Sequence, residues 1–247
     1  LKKLDVESID FYLLHALDGE RLEHVVKKFH LTDHLEQAKA AGKIKHIGFS
    51  FHDDLESFKA IIDFYDGWEF CQIQYNYVDI QHQAGREGLR YAADKGLGVV
   101  IMEPLRGGKL ADVEPHLADV FPKEKTPVEW ALDFLWDQPE VSLLLSGMSS
   151  ERQVEENLAY ADRSQPGMLK GEEKAIYPKA KEIFDTMALV KCTKCSYCMP
   201  CPAGIDIPGI FAVYNSTVTL GKEKAKASYE ACLLYTSPSP RDSTSSR

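Results

Sequence analysis

Cys192, Cys195, Cys198 and Cys201 stand at intervals of three residues, and Pro202 follows the last of them. Consecutive C-x2-C steps wrap a short loop so that its sulfurs converge on one compact object. A run of C-x2-C-x2-C closing in Cys-Pro is a ligand pattern for a [4Fe–4S] cluster, although here only Met199 and Pro200 separate the last two cysteines where three residues are usual. Zinc is the alternative, but a four-cysteine zinc site usually draws two C-x2-C knuckles from separate stretches. Disulfides between such close neighbours would be strained, and nothing marks the chain as secreted. Free thiols around an oxygen-sensitive cluster fit a reducing cytoplasm. Cys71, inside an apolar run, reads instead as a small buried hydrophobe.

The elements that position this chemistry begin abruptly at Leu1, without a Met. At the other end, Cys232-Leu-Leu-Tyr-Thr-Ser-Pro-Ser-Pro-Arg-Asp242 is similar to a translated sequencing adapter, so residues 232–247 are set aside as an expected artefact and the chain as an expected fragment. The composition, 44% hydrophobic and 27% charged, is that of an ordinary globular protein. A formal net charge of −9 argues against a nucleic-acid surface. No apolar run is long enough to span a bilayer, so no membrane partner is expected.

Ahead of the cysteines, five strand-length apolar runs alternate with amphipathic stretches: 9–15, 44–50, 70–75, 99–103 and 142–147. Their near-continuous apolarity implies that both faces are covered, as in a parallel sheet. Helices are predicted from Thr32 or Asp33 to Ala41, over 55–64 behind Asp53 and Asp54, over 85–95, from Thr126-Pro127 to Trp136, and over 153–161 capped by Ser149 or Ser150. Repeated β–α units build either a doubly wound sheet or a barrel. His15, Ser50, Gln74, Asn76, Glu103 and Gly147 all fall at strand C-termini, and no G-x-G-x-x-G or G-x4-G-K-[ST] motif occurs. That distribution favours part of a TIM barrel within the α/β class.

Five motifs occur in family order: Ile-Asp-Phe-Tyr-Leu-Leu-His15, Ile-Gly-Phe-Ser50, Gln-Ile-Gln-Tyr-Asn76, Met-Glu-Pro-Leu-Arg-Gly-Gly108 and Ser-Gly-Met-Ser-Ser-Glu-Arg-Gln-Val-Glu-Glu-Asn157. On these the chain resembles the aldo-keto reductases, and more narrowly their bacterial and archaeal branch with a C-terminal ferredoxin-like appendage. The resemblance implies a partial (β/α)8 barrel, roughly strands four to eight, over residues 1–168. The family's catalytic Tyr, Asp and Lys would lie upstream. It further implies hydride transfer between NAD(H) or NADP(H) and a small carbonyl or alcohol substrate, with His15 polarising the carbonyl. Ser50 and Gln74 match contacts to the nicotinamide carboxamide. Phe51 replaces a frequent Asn, and Met102 stands where many members stack a Tyr. Leu105, Arg106 and Gly107, with Gly108 and Lys109 following, match the pyrophosphate turn. Gly147, Gln153, Glu156 and Asn157 match the adenosine loop. Gly147 and Gln153 occupy positions where NADP-preferring members carry Lys and Arg, which leans the expectation towards NAD(H), with Arg152 holding NADP(H) open.

Residues 169–190 are expected to form a helix that docks on the barrel and leads to Cys192, and residues 191–231 a truncated ferredoxin-like segment whose 213–229 stretch is a helical spacer. On a two-cluster pattern Cys192, Cys195 and Cys198 serve one cluster and Cys201 another; on a one-cluster pattern all four serve one. An external one-electron carrier is the implied partner. Two other readings remain: a nicotinamide-sensing barrel with little turnover, and a barrel stapled by zinc.

Overall fold

The computed structural model describes residues 1–113, 119–186, 189–190, 192, 198–219 and 221–232. It divides into two compact units within the helix Ile176–Thr186, residues up to Tyr177 falling in the first and those from Pro178 in the second.

The first unit is a five-stranded sheet, β1 (Ile9–Leu17), β2 (Ile44–Phe51), β3 (Phe70–Gln74), β4 (Gly98–Met102) and β5 (Leu143–Leu144). Its strand order is sequential and every pairing is parallel. A doubly wound sheet would reverse its order at a switch point; this one does not, as a barrel segment requires. Helices α1 (Leu31–Ala40), α2 (Leu55–Phe64), α3 (Gly85–Asp94), α4 (Pro127–Trp136) and α5 (Glu151–Asp162) alternate with the strands.

Local chemistry explains most boundaries. Asp54 caps α2 by accepting from the Ser57 N–H at 2.9 Å. Thr126 and Glu129 form a capping box at the start of α4, with Pro127 in its first turn. Near-continuous apolarity in β2 matches its burial: Ile47, Phe49 and Phe51 are wholly inaccessible, as are Cys71 and Ile73 in β3 and Val99 and Ile101 in β4. They pack beneath Phe58 and Ile61 of α2 and Leu89 and Ala92 of α3, also inaccessible. Burial in these apolar surroundings pushes the Cys71 thiol far up, which keeps it an inert hydrophobe. Gly48 allows β2 to approach β3, because a Cβ there would meet the Phe70 ring at 2.6 Å. At the opposite end of the sheet from the candidate site, partial burial raises Glu69, but hydrogen bonds from Lys39, His46 and the Ile47 N–H outweigh it and hold the carboxyl at about 2.

Several sequence expectations are corrected. Helix α1 begins without a side-chain cap: His30, in the left-handed region at φ 49°, turns the chain, and Thr32 is buried inside the helix. The stretch Gly19–Arg21, capped by Asp18, and the wider turn Leu22–Lys27 were not anticipated. β5 is shorter than its apolar run. The single helix expected over 169–190 is, among the described residues, two, Gly171–Lys174 and Ile176–Thr186.

In the second unit Ile207–Thr219 and Lys222–Cys232 pack on one another. They replace the continuous spacer expected over 213–229, and Gly221, at φ 77°, stands at the break. Asn215 brackets Val190, two residues before Cys192: its Oδ1 accepts from the Val190 N–H at 2.8 Å and its Nδ2 donates to the Val190 carbonyl at 2.7 Å. Among the described residues no helix is long and apolar enough to cross a membrane.

Candidate functional site

Parallel strands place all their C-termini on one edge of a sheet, and that edge collects the polar residues singled out above. His15 is exposed and lies two residues before the end of β1. The next residue, Ala16, adopts φ 55°, and the β1–β2 register slips there, Leu14 pairing with Phe49 but Leu17 with Phe51. The Ser50 hydroxyl, wholly buried, accepts from the Ala16 N–H at 2.7 Å and so stabilises this bulge. Phe51, in place of the frequent Asn, packs its ring edge-on against Phe58 at 4.9 Å and belongs to the core. His52 beside it is driven towards its neutral form, first by burial and then by His15, Arg21 and His82. Three imidazoles and a guanidinium therefore share this part of the rim.

The next two strand ends are joined by side chains. Gln74 donates to Asp79 Oδ2 at 3.4 Å, and Asn76 donates to the same oxygen at 3.1 Å. Arg106, in the turn after β4, reaches the same carboxylate at 3.0 Å through Nε. That turn carries four residues in the left-handed region: Glu103 at φ 57°, Arg106 at 50°, Gly107 at 62° and Gly108 at 87°. Only the two glycines adopt it without steric cost.

A cleft of about 530 Å³ opens between this turn and the start of α5. Met102, Leu105 and Gly107 line one side of it, and Gly147, Gln153, Glu156 and Asn157 line the other. Seven of the ten residues expected to hold a nucleotide thus meet around one cavity. Ser50, Gln74 and Arg106 are placed elsewhere, Ser50 in the bulge and the other two on Asp79. A Cβ at Gly147 would meet nothing within 4 Å, so this glycine leaves the cleft open.

The adenosine-side residues also hold their own loop. Ser150 accepts from the Gln153 N–H at 3.4 Å, and Gln153 Oε1 accepts from the N–H groups of Ser149 at 2.7 Å and Ser150 at 3.2 Å. Asn157 donates to the Ser146 hydroxyl at 3.0 Å, which ties α5 to the end of β5. Arg152, the cation nearest this wall in sequence, pairs with Glu156 at 2.9 Å. Sequence reasoning missed Asp79, although an Asn three residues before an Asp is an available turn signal.

The family and the fold are those of known proteins. The model of the aldo/keto reductase family covers residues 1–166. The chain belongs to this family of oxidoreductases. L-galactose dehydrogenase from Arabidopsis thaliana is 26% identical over 176 residues, which is 64% of this chain and 54% of that protein. The holo form of aldo-keto reductase AKR11C1 from Bacillus halodurans superposes with a TM-score of 0.60 at 21% identity, covering 73% of this chain and 61% of that one. An aldo-keto reductase from Klebsiella pneumoniae in complex with NADPH superposes at 0.54 with 22% identity, covering 72% and 61%. The chain therefore spans about half the length of the curated relative and about three fifths of these structures.

The family match ends before the cysteines. Cys192, Cys198 and Cys201 are free thiols, Cys198 exposed and the other two half-buried, while Cys195 lies outside the described residues. Among the described residues no three His, Cys, Asp or Glu side chains are gathered as around a metal ion. Cys201 opens a turn in which its carbonyl accepts from the Gly204 N–H at 2.9 Å.

Proposed function

We propose that this chain is the nucleotide-binding part of an oxidoreductase that moves a hydride between NAD(H) or NADP(H) and a small carbonyl or alcohol substrate. The observation that supports it most is the convergence of two motifs far apart in sequence, 102–108 and 147–157, on one cleft. The polar strand ends fit the group as well. Gln74 carries an amide, while Ser50, wholly buried, serves the strand ends through the Ala16 bulge. Met102 offers a polarisable thioether on the cleft wall. When bound, nicotinamide supplies or takes up the hydride. This chain's part would be to orient the ring from Gln74 and Met102, with Ser50 holding the bulge behind them, and to seat the phosphates on the backbone of Leu105, Gly107 and Gly108. The adenosine end then lies along Gly147, Gln153, Glu156 and Asn157. His15 donates to the substrate oxygen, where charge develops in the transition state.

The four cysteines suit a [4Fe–4S] cluster by the chemistry of their donor set: soft thiolates at short, regular spacing, with the three described ones free. The cluster, when present, supplies one-electron exchange with an external carrier or rigidity to the second unit. Asn215, by bracketing Val190, fixes the approach to Cys192 in either case. A cytoplasmic setting follows from this chemistry.

Titration of the purified chain with NADH and with NADPH, followed by nucleotide fluorescence, tests the first part. Saturable enhancement supports it, and the absence of binding at millimolar nucleotide removes it. Saturable binding without aldehyde turnover in a protein that also carries the family's catalytic Tyr would favour the sensing role. Anaerobic reconstitution with iron and sulfide tests the second part: brown colour with broad visible absorbance supports the cluster, whereas a colourless protein holding stoichiometric zinc replaces it.

A further inference from the structure

The loop after β3 grips the loop after β4, and the grip has a definite construction. Asn76 is wholly buried, and its Oδ1 accepts from the N–H groups of Val78 at 3.0 Å and Asp79 at 2.9 Å. This Asx-type turn fixes where the Asp79 carboxylate stands. One oxygen of that carboxylate then meets Arg106 Nε at 3.0 Å, Asn76 Nδ2 at 3.1 Å and Gln74 Nε2 at 3.4 Å. The Asn76 amide also donates to the Glu103 carbonyl at 3.1 Å. Both points gripped, Glu103 and Arg106, are non-glycine residues at positive φ, 57° and 50°, a conformation that persists only where its surroundings impose it. The carboxylate is the shielded partner, the Asp79 side chain being 11% exposed against 32% for Arg106. Leu105 and Gly107 line the cleft while Arg106 between them pairs with Asp79.

We infer that Asp79 is a positioning residue for the dinucleotide: it holds the Arg106 side chain on one side and the Gln74 amide on the other, so that the phosphate-facing turn and the nicotinamide-facing strand end form one frame. Arg106 then shapes the turn instead of neutralising phosphate, which departs from its expected role. The inference rests on the reading of the cleft as a dinucleotide site.

The test combines ligand binding with a measurement that needs no ligand. Asp79→Asn and Arg106→Gln are each expected to weaken NADPH about tenfold, the double variant to be no weaker than the poorer single, and Asp79→Glu to recover part of the loss. Hydrogen exchange of the Lys109 and Leu110 amides, which close the turn on Arg106 and Leu105 at 3.2 and 3.1 Å, is expected to quicken in both singles while β3 and β4 keep their protection. Tighter binding by Asp79→Asn would overturn the inference, because the carboxylate would then be a competitor for Arg106. So would additive losses in the double variant, or exchange in the turn that does not change. If the unaltered chain binds no nucleotide, the cleft reading falls and the exchange measurement alone decides whether Asp79 frames the turn.

Discussion

On one side of the cleft, residues 102–108 take their shape from a different part of the chain: Asn76 and Asp79, beyond β3, hold Glu103 and Arg106 across the strand ends. On the other side, residues 147–157 take theirs from within. Ser149, Ser150 and Gln153 bond to one another inside a single helical turn, and Asn157 reaches back only to Ser146. The first wall exists only once β3 and β4 are paired, from Phe70 with Gly98 to Gln74 with Met102. The second needs little more than the start of α5. A wall held at long range can be fixed in a strained backbone. A wall held locally is confined to conformations that a helix start permits.

Asn76→Ala breaks the first wall most severely. It removes the acceptor for the Val78 and Asp79 N–H groups and the donor to Glu103, from a side chain that is itself wholly buried. A loss of about 3 kcal/mol is expected, since buried partners are left unsatisfied. In a chain of this size that lowers the unfolding midpoint by roughly 6–12 °C. Scanning calorimetry or thermal circular dichroism reads it directly. A shift no larger than that of a surface substitution would mean that the two loops are not held as described.

The same contrast accounts for what was legible in the sequence. Local signals carried through: Asp54, Thr126 and Ser150 all cap the helices they were expected to open. The apolar runs became strands, and in β2 burial on both faces matches the continuous signature, whereas in β1 Phe11 and Tyr12 are exposed despite it. Signals that needed tertiary context did not carry through. The start of α1 turns on His30 in a left-handed conformation, which no side-chain cap announces. Arg106 was expected, on the resemblance, at the pyrophosphate turn, and its partner Asp79 is visible only after two strand ends come together. Phe51 read as a missing contact, whereas its ring fills the space against Phe58.

Gly147→Trp separates the cavity from the fold. Gly147 lines the cleft and nothing lies within 4 Å of a Cβ there, so an indole at its wall displaces no core residue. Dinucleotide affinity should fall at least about tenfold, equivalent to ~1.4 kcal/mol, while the thermal midpoint stays near that of the parent. Retained affinity would place the ligand outside this cleft.

Ser150→Ala probes the local wall. Loss of an N-cap costs about 1 kcal/mol, here confined to the first turn of α5, where faster amide exchange should appear. The first wall should keep its protection, because no hydrogen bond described joins Ser150 to residues 102–108. Faster exchange at Lys109 or Leu110 would show that the walls are coupled and that the division between local and long-range support is wrong.

Arg152→Ala is the mildest change and the sharpest on nucleotide choice. The Arg152 side chain is 76% exposed and its partner Glu156 sits one helical turn away, so the pair contributes no more than about 0.3–0.5 kcal/mol to the helix. Stability should therefore barely move. Binding should move selectively if Arg152 leaves Glu156 for a 2′-phosphate, because a doubly charged phosphate is a stronger partner for a guanidinium than one exposed carboxylate. The expected outcome, with Gln153 held in its capping box and unable to supply a second cation, is that NADH affinity is unchanged and NADPH affinity falls by less than about threefold. A large and exclusive loss of NADPH binding would assign Arg152 to the phosphate and make the local wall, not the long-range one, the part of the cleft that chooses the cofactor.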